Sequence, residues 1–284
     1  MLNRNIEVFM GCESSFEEAE TVFFGAPFDS TTSYRPGTRF GCSTIRHESF
    51  GIESYSPYQD KDLFDGKVMD SGDIELPFGC TEDALSQIEE RAADILAAGK
   101  RPFMLGGEHL VTLGAFRAAA KKYPDICIIH FDAHADLRED YLGNKLSHAC
   151  VLRRCWEIIG DGRIFQFGIR SGDREEFSWG KDHVNTCRFN FDTLKETVEK
   201  LGDKPVYFTV DLDVLDPSVF PGTGTPEPGG VSFEELRRSA QLVCEKANVV
   251  ACDVNELSPH YDHSGISTAA ACKTVREMLL AFQK

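Results

Sequence analysis

The run ICIIHFDAHAD, Ile126 to Asp136, decides the fold. Its first six residues are strand formers, apolar at nearly every consecutive position. That pattern describes a strand covered on both faces, as in a parallel sheet between helices, and not a sheet with one wet face. Its last five residues alternate carboxylate or imidazole with alanine. Ligands of such sheets bind beyond the carboxyl ends of strands, which is where DAHAD falls.

Outward from this run, β-rich segments alternate with helix-length amphipathic ones. Strands are expected at Thr21 to Gly25, Pro102 to Leu105, Ile126 to Phe131, Arg163 to Phe167, Pro205 to Val210 and Val249 to Cys252. Helices are expected at Thr81 to Ala98, Val111 to Lys122, Phe191 to Leu201, Ser232 to Lys246 and Ser267 to Phe282. The alternation predicts an α/β fold, a three-layer sandwich around a central parallel sheet. No linker, repeat or low-complexity tract interrupts it, so residues 1–284 read as a single domain. The longest irregular stretch, Asp29 to Leu63, is either functional or packs against a neighbouring subunit.

Thirty Lys and Arg against 46 Asp and Glu leave a formal charge of −16. Such a field repels phosphate backbones and draws in cations, which argues against nucleic acid and for a small cationic partner. The ten cysteines form no CxxC pair and several lie in apolar runs, so they read as reduced thiols. No window approaches the roughly 18 apolar residues of a membrane span, and the N-terminal segment lacks a signal-peptide core. A cytoplasmic protein that neither spans nor anchors to a membrane is expected.

Four segments place polar residues after strands: Gly106 to His109, Asp132 to Asp136, Asp211 to Asp213, and Asp253 to Glu256. In an extended DAHAD, Asp132, His134 and Asp136 share one face while alanines leave room behind them. Asp211 and Asp213 repeat the device. Carboxylates packed so closely repel unless protonated or bound to cations. Four carboxylates (Asp132, Asp136, Asp211, Asp213) and two neutral imidazoles (His109, His134) balance two divalent ions. Oxygen and imidazole donors without cysteine suit manganese and disfavour structural zinc. Two such ions can make hydroxide near neutral pH, which implies hydrolysis.

These residues resemble the ureohydrolase family, which includes arginases and agmatinases. The resemblance spans nearly the whole chain: PGTRFG at 36–41, GGEH at 106–109, DAHAD at 132–136, Ser147-His148, FGIRSG at 167–172, DLDVLDPSVFPGTGTPEPGG at 211–230, and DVNELSPHYDHS at 253–264. It is nearest to bacterial agmatinases, especially in LREDYLGNKLSHACVLRR and the PGTGTPEPGG and SPHYDHS segments. The resemblance implies two Mn²⁺ per subunit. One would be held by His109, Asp132, Asp136 and Asp211, the other by Asp132, His134, Asp211 and Asp213. It implies that Glu256 pairs with the substrate guanidinium and that His148 shuttles protons. It also implies homo-trimers or hexamers. Chemically, Asp136 is placed to accept a proton from the attacking water and help pass it to the leaving amine.

Other residues have blander readings. His130 is expected to be a hydrogen-bonded core histidine behind the ligands. His47 and His183 are expected in solvated loops, as are His260 and His263 unless they line the site. Asp216 is expected to cap a turn, Asp253 to support the site from behind, and Cys150 to fill space. Gly222-Thr223-Gly224 lacks the features of a phosphate loop.

Arginases carry an asparagine two residues beyond the last Asp of DAHxD, where this chain has Arg138. That departure favours agmatine, with Glu139 and Asp140 as possible contacts to its ammonium. The runner-up substrates are 4-guanidinobutyrate, with Arg138 or Arg39 facing its carboxylate, and arginine. A binuclear metallophosphoesterase and a noncatalytic metal-binding protein are the readings from other classes. The acidic balance opposes the first, and the full set of candidate groups opposes the second. Ala149, where many relatives have Gly, is the one local departure.

Overall fold

The computed structural model describes residues 2–77 and 79–283. Among these residues ten strands are formed: β1 (Thr21–Ala26), β2 (Tyr55–Ser56), β3 (Lys61–Asp62), β4 (Val68–Asp73), β5 (Arg101–Gly106), β6 (Cys127–Phe131), β7 (Ile164–Ile169), β8 (Asn185–Arg188), β9 (Pro205–Asp211) and β10 (Asn248–Asn255). Eight helices accompany them: α1 (Gly41–Glu48), α2 (Thr81–Ala97), α3 (Val111–Lys122), α4 (Val151–Ile159), α5 (Arg174–His183), α6 (Leu194–Leu201), α7 (Phe233–Lys246) and α8 (Ile266–Phe282).

Eight strands make one sheet in the order β4-β1-β5-β10-β9-β6-β7-β8, and every neighbouring pair is parallel. Successive side chains of a strand leave on opposite faces, and both faces here are apolar. Phe23, Phe103, Ile129, Val206 and Phe208 pack on one side with Ile45, Leu236, Val275 and Leu279 of α1, α7 and α8. Val22, Phe24, Met104, Ile128 and Tyr207 pack on the other with Ile88, Phe116 and Leu152 of α2, α3 and α4. Each fully buried Phe or Leu contributes on the order of 1.5–3 kcal/mol. The result is the three-layer α/β sandwich read from the sequence.

The elements missing from that reading have physical reasons. β4 and β8 are the two edge strands, and edges are kept polar or short to discourage pairing with other chains. Their sequences, VMDSGD and NTCR, therefore show no apolar run. α5 begins with a capping box in which Asp173 and Glu176 exchange side-chain and backbone hydrogen bonds, a signal at its start and not in its periodicity. α6 starts at Leu194, not Phe191, because Phe191 stacks on Phe131 with centroids 4.5 Å apart. The stretch from Asp29 to Leu63 is not wholly irregular: it holds α1, short 3-10 turns at Thr38–Phe40 and Ser49–Gly51, and the β2–β3 ribbon. Among the described residues, no helix is long and apolar enough to cross a membrane.

Candidate metal centre

The four polar segments follow β5, β6, β9 and β10, and the sheet order makes these four neighbours: β5-β10-β9-β6. Their carboxyl ends therefore open side by side at the middle of the sheet. Close approach there requires glycine. A Cβ on Gly107 would lie 2.0 Å from the Phe28 carbonyl oxygen; glycine there lets Phe28 lie close enough to accept the Glu108 amide at 2.7 Å, and the Gly107 carbonyl accepts the Glu256 amide at 2.9 Å.

His109 is held on three sides. Its amide donates to Glu256 Oε1 at 2.8 Å, and its Nε2 lies 2.8 Å from Thr209 Oγ1. The Thr209 hydroxyl donates to Asp253 Oδ1 at 2.6 Å, so it receives the ring proton on Nε2. In the neutral ring Nδ1 therefore points its lone pair at Asp132 Oδ2 (3.0 Å), Asp136 Oδ2 (3.2 Å) and Asp211 Oδ2 (3.4 Å); without a cation, and against burial, these carboxylates hold the imidazole pKa well up. Nδ1 is buried and aligned with none of them as a hydrogen bond. An unpartnered lone pair among three carboxylate oxygens is the arrangement a divalent cation satisfies.

The neighbouring group is built alike. His134 Nδ1 lies 3.0 Å from Asp213 Oδ2 and 3.4 Å from Asp132 Oδ1. Backbone amides fix the carboxylates: His134 donates to Asp132 Oδ1 (2.5 Å), Asp213 to Asp211 Oδ1 (2.8 Å) and Ala133 to Asp213 Oδ1 (3.1 Å). The ligand atoms of Asp132, His134 and Asp213 lie within 4.8 Å of one another, as do those of His109, His130 and Asp132. Asp132 belongs to both groups. The chain does not stay extended through DAHAD, because Asp136 turns back at φ 53°; Glu256 is likewise left-handed at φ 70°. Such backbone persists where surroundings over-determine it, often at functional sites.

Electrostatics carry the mark of crowded acids. Burial, then the charges of Asp213 and Asp132, pushes Asp211 well up, and burial, then Asp132, raises Asp136 to about 7. Burial, then Asp213 and Glu108, pushes Glu256 well up. Burial opposes ionisation of Asp132, but His130, His109 and His134 together hold it well below its usual range. Each raised carboxyl is one that a bound cation would return to the ionised state.

His148 is brought to the same place. Its amide donates to Thr31 Oγ1 at 3.0 Å, and its Nε2 lies 2.9 Å from Ser33 Oγ. Burial, then the charges of His134 and His109, lowers its pKa to about 4. A cavity of about 260 Å³ beside the cluster is lined by His134, Asp136, His148 and Thr225, and farther along by Arg138, Tyr141, Asp173 and Glu176.

A family model described as the arginase family matches residues 19–281. The chain belongs to the arginase family. An agmatinase of Bacillus anthracis is 50% identical over 281 residues, covering 98% of this chain and 97% of that protein. An agmatinase of Bacillus subtilis strain 168 is 48% identical over 281 residues, covering 98% and 97%. Among solved structures, the agmatine ureohydrolase of Thermoplasma volcanium is 36% identical, with a TM-score of 0.88 over 98% of this chain and 95% of that one.

In this arginase-family chain the loop after DAHAD is not arranged as expected. Glu139 turns outward to Arg153 and Lys145, and Asp140 caps the Gly143 amide at 2.9 Å; neither lines the cavity. Besides Asp136, the acids that do are Asp173 and Glu176, both paired with Arg138 at 3.0 and 3.4 Å. Sequence reading missed them because they lie on another element. It also missed Glu108, whose buried carboxylate accepts the Thr31 amide at 2.8 Å and the hydroxyls of Thr31 and Thr32. Its position in GGEH was the available signal.

Asp253 is fully buried and accepts from Tyr207 (2.5 Å), Thr209 and Asn255 (2.7 Å) behind His109. Asp216 accepts the amides of Ser218, Gly229 and Gly230. Cys150 is buried, and burial raises its thiol to about 12. His183 is not in a solvated loop: it ends α5, stacks on Trp179 at 4.2 Å and pairs with Asp161 at 2.6 Å. His47 pairs with Glu7 at the surface, and His260 packs edge-on against Phe40.

Proposed function

We propose that this chain hydrolyses agmatine to putrescine and urea as a single domain over residues 1–284, using two Mn²⁺ per subunit. His109, Asp132, His134, Asp136, Asp211 and Asp213 would hold them, with Asp132 and Asp211 serving both. The two ions, when bound, neutralise the four carboxylates and lower the pKa of water for attack. Glu256, with Oε1 committed to the His109 amide, keeps Oε2 for the substrate guanidinium. Asp136 takes the proton released as water oxygen bonds to the guanidinium carbon. Returning that proton to the departing nitrogen lets the carbon–nitrogen bond break, yielding urea and a diamine. His148, neutral and held by Thr31 and Ser33, exchanges protons with solvent.

One observation carries the choice of substrate: Arg138, the one Arg or Lys among the described residues that lines the cavity, is already locked between Asp173 and Glu176 at the far end. Two acids and one base leave that end negative, which suits an ammonium tail and not a carboxylate. Arg39 is likewise taken by Asp29. The agmatinases at 48–50% identity support the same reading. Exposed aromatic residues Phe40, Phe50, Tyr55, Tyr58 and Phe64 support a homo-oligomer, trimer or hexamer. The unpaired cysteines support a cytoplasmic setting.

The test is urea release by Mn²⁺-loaded protein offered agmatine, arginine and 4-guanidinobutyrate in parallel. Urea and putrescine from agmatine alone are expected. Preference for either carboxylated compound would overturn the reading of the Arg138 end.

A further inference from the structure

Both oxygens of Asp132 are engaged by the chain. Oδ1 accepts the His134 amide, and Oδ2 lies 2.8 Å from Nε2 of His130. His130 is fully buried on β6, and its other nitrogen, Nδ1, is 3.1 Å from Nε2 of Gln166. Gln166 is its register partner on β7, and Thr186 is the register partner of Gln166 on β8. The same Gln166 nitrogen lies 2.7 Å from the Ala135 carbonyl oxygen, and Oε1 accepts the Thr186 hydroxyl at 3.0 Å.

The proton positions follow by elimination. A backbone carbonyl can only accept, so the end of Gln166 that faces Ala135 is the NH₂. That NH₂ also faces His130 Nδ1, which must then be an acceptor. A neutral imidazole carries one N–H, so the proton sits on Nε2 and is aimed at Asp132. Gln166 and His130 are fully buried, so no bulk water competes for these positions.

We infer that Gln166 sets the tautomer of His130 and thereby makes His130 a positioning residue for Asp132. Thr186, Gln166 and His130 form a relay across three adjacent strands that ends on Asp132, a carboxylate common to both ligand groups. Although His130 Nε2 lies within ligand reach of His109 and Asp132, it presents a proton there and not a lone pair, which removes it from the ligand set. The tautomer stands on hydrogen-bond chemistry alone; its consequence for metal rests on the proposed metal centre. Partners that orient metal ligands in this way are typically worth about 10- to 100-fold in affinity.

The experiment has two arms on the full-length chain. In the first, the protein is labelled with ¹⁵N-histidine, and the His130 signals are identified by their loss in His130→Gln. Protonated Nε2 with unprotonated Nδ1 is expected at neutral pH, and a mixture in Gln166→Leu. Protonated Nδ1, or an imidazolium, overturns the assignment. In the second, Mn²⁺ binding is measured by calorimetry. His130→Phe and Gln166→Leu are expected to weaken binding about 10- to 100-fold, and His130→Gln, which keeps a donor toward Asp132, to recover part of it. Equal affinity in all variants overturns the positioning role. If the unsubstituted protein binds no Mn²⁺, the metal centre itself is refuted, and the ¹⁵N arm still decides the tautomer.

Discussion

Ser33 meets His148 across 115 residues of sequence, with its hydroxyl 2.9 Å and its amide nitrogen 3.3 Å from Nε2. The amide can only donate, so Nε2 faces it as an acceptor. Two residues earlier, Thr31 takes the His148 amide and gives its own hydroxyl to Glu108. One short strap, anchored on the residue before His109, thus holds His148 by its backbone amide and by its ring.

His148→Asn is therefore expected to lower kcat by about 10²–10⁴-fold, the usual range for a positioned acid–base group, with Mn²⁺ content unchanged. Ser33→Ala removes one contact of roughly 0.5–1.5 kcal/mol and should lower kcat only about two- to tenfold. Steady-state kinetics with metal analysis checks both. Unchanged turnover in His148→Asn would remove the proton-shuttle role.

Glu256→Gln leaves an oxygen for the His109 amide but removes the charge offered to a guanidinium. A hydrogen bond to a charged group is worth about 1.5–3 kcal/mol, so kcat/KM for agmatine should fall about ten- to a hundredfold or more. Folding and Mn²⁺ uptake should persist. A variant with wild-type kcat/KM would show that the cation is held elsewhere.

Asp173 is part of the acidic end of the cavity, and its side chain is 38% exposed. Asp173→Asn should weaken agmatine by a modest factor, in line with about 0.2–1 kcal/mol for an exposed charge pair. It also leaves Arg138 with Glu176 as its one acid partner, so 4-guanidinobutyrate should gain relative to agmatine. The ratio of the two kcat/KM values is the readout, and a ratio that stays fixed would place the tail away from this end.

The metal-ligand candidates were legible because DAHAD, DLD and GGEH each concentrate donors at the end of an apolar strand, and their strands are neighbours in the sheet. What escaped the sequence lies in contacts between elements. Glu108 sits in plain view beside His109, yet its partners are Thr31 and Thr32, 77 and 76 residues away. Glu139 and Asp140 come three and four residues after Asp136, but their side chains go to Lys145, Arg153 and the Gly143 amide, while Asp173 and Glu176 line the cavity. The edge strands β4 and β8 escaped because an edge is polar for reasons that have nothing to do with the core.

Metal removal should expose the crowding of these acids as a dependence of stability on pH. In the metal-free protein Asp136 is raised from 3.8 to about 7 by burial and Asp132, and Glu108 from 4.5 to about 7 by burial. Folding therefore takes up protons between roughly pH 4 and 7, so the stability these groups contribute is complete below about pH 4 and lost as pH rises through 7. Asp211 and Glu256 are pushed up as well and act in the same direction. His148 and His130 oppose them, since burial lowers both imidazoles and gives stability that grows as pH rises toward 6.5, but His109 and His134, held well up against burial by the neighbouring carboxylates, act with the four acids. Melting temperature of the chelator-treated protein should accordingly be higher at about pH 5.5 than at about pH 8. Because bound cations need ionised ligands, binding releases protons, and the gain on adding Mn²⁺ should be larger at the higher pH. At free metal a hundred times Kd that gain is about 2.7 kcal/mol per site. A metal-free melting temperature that rises over this interval, or a Mn²⁺ gain that does not change with pH, would mean that these carboxylates are not the groups that receive the metal.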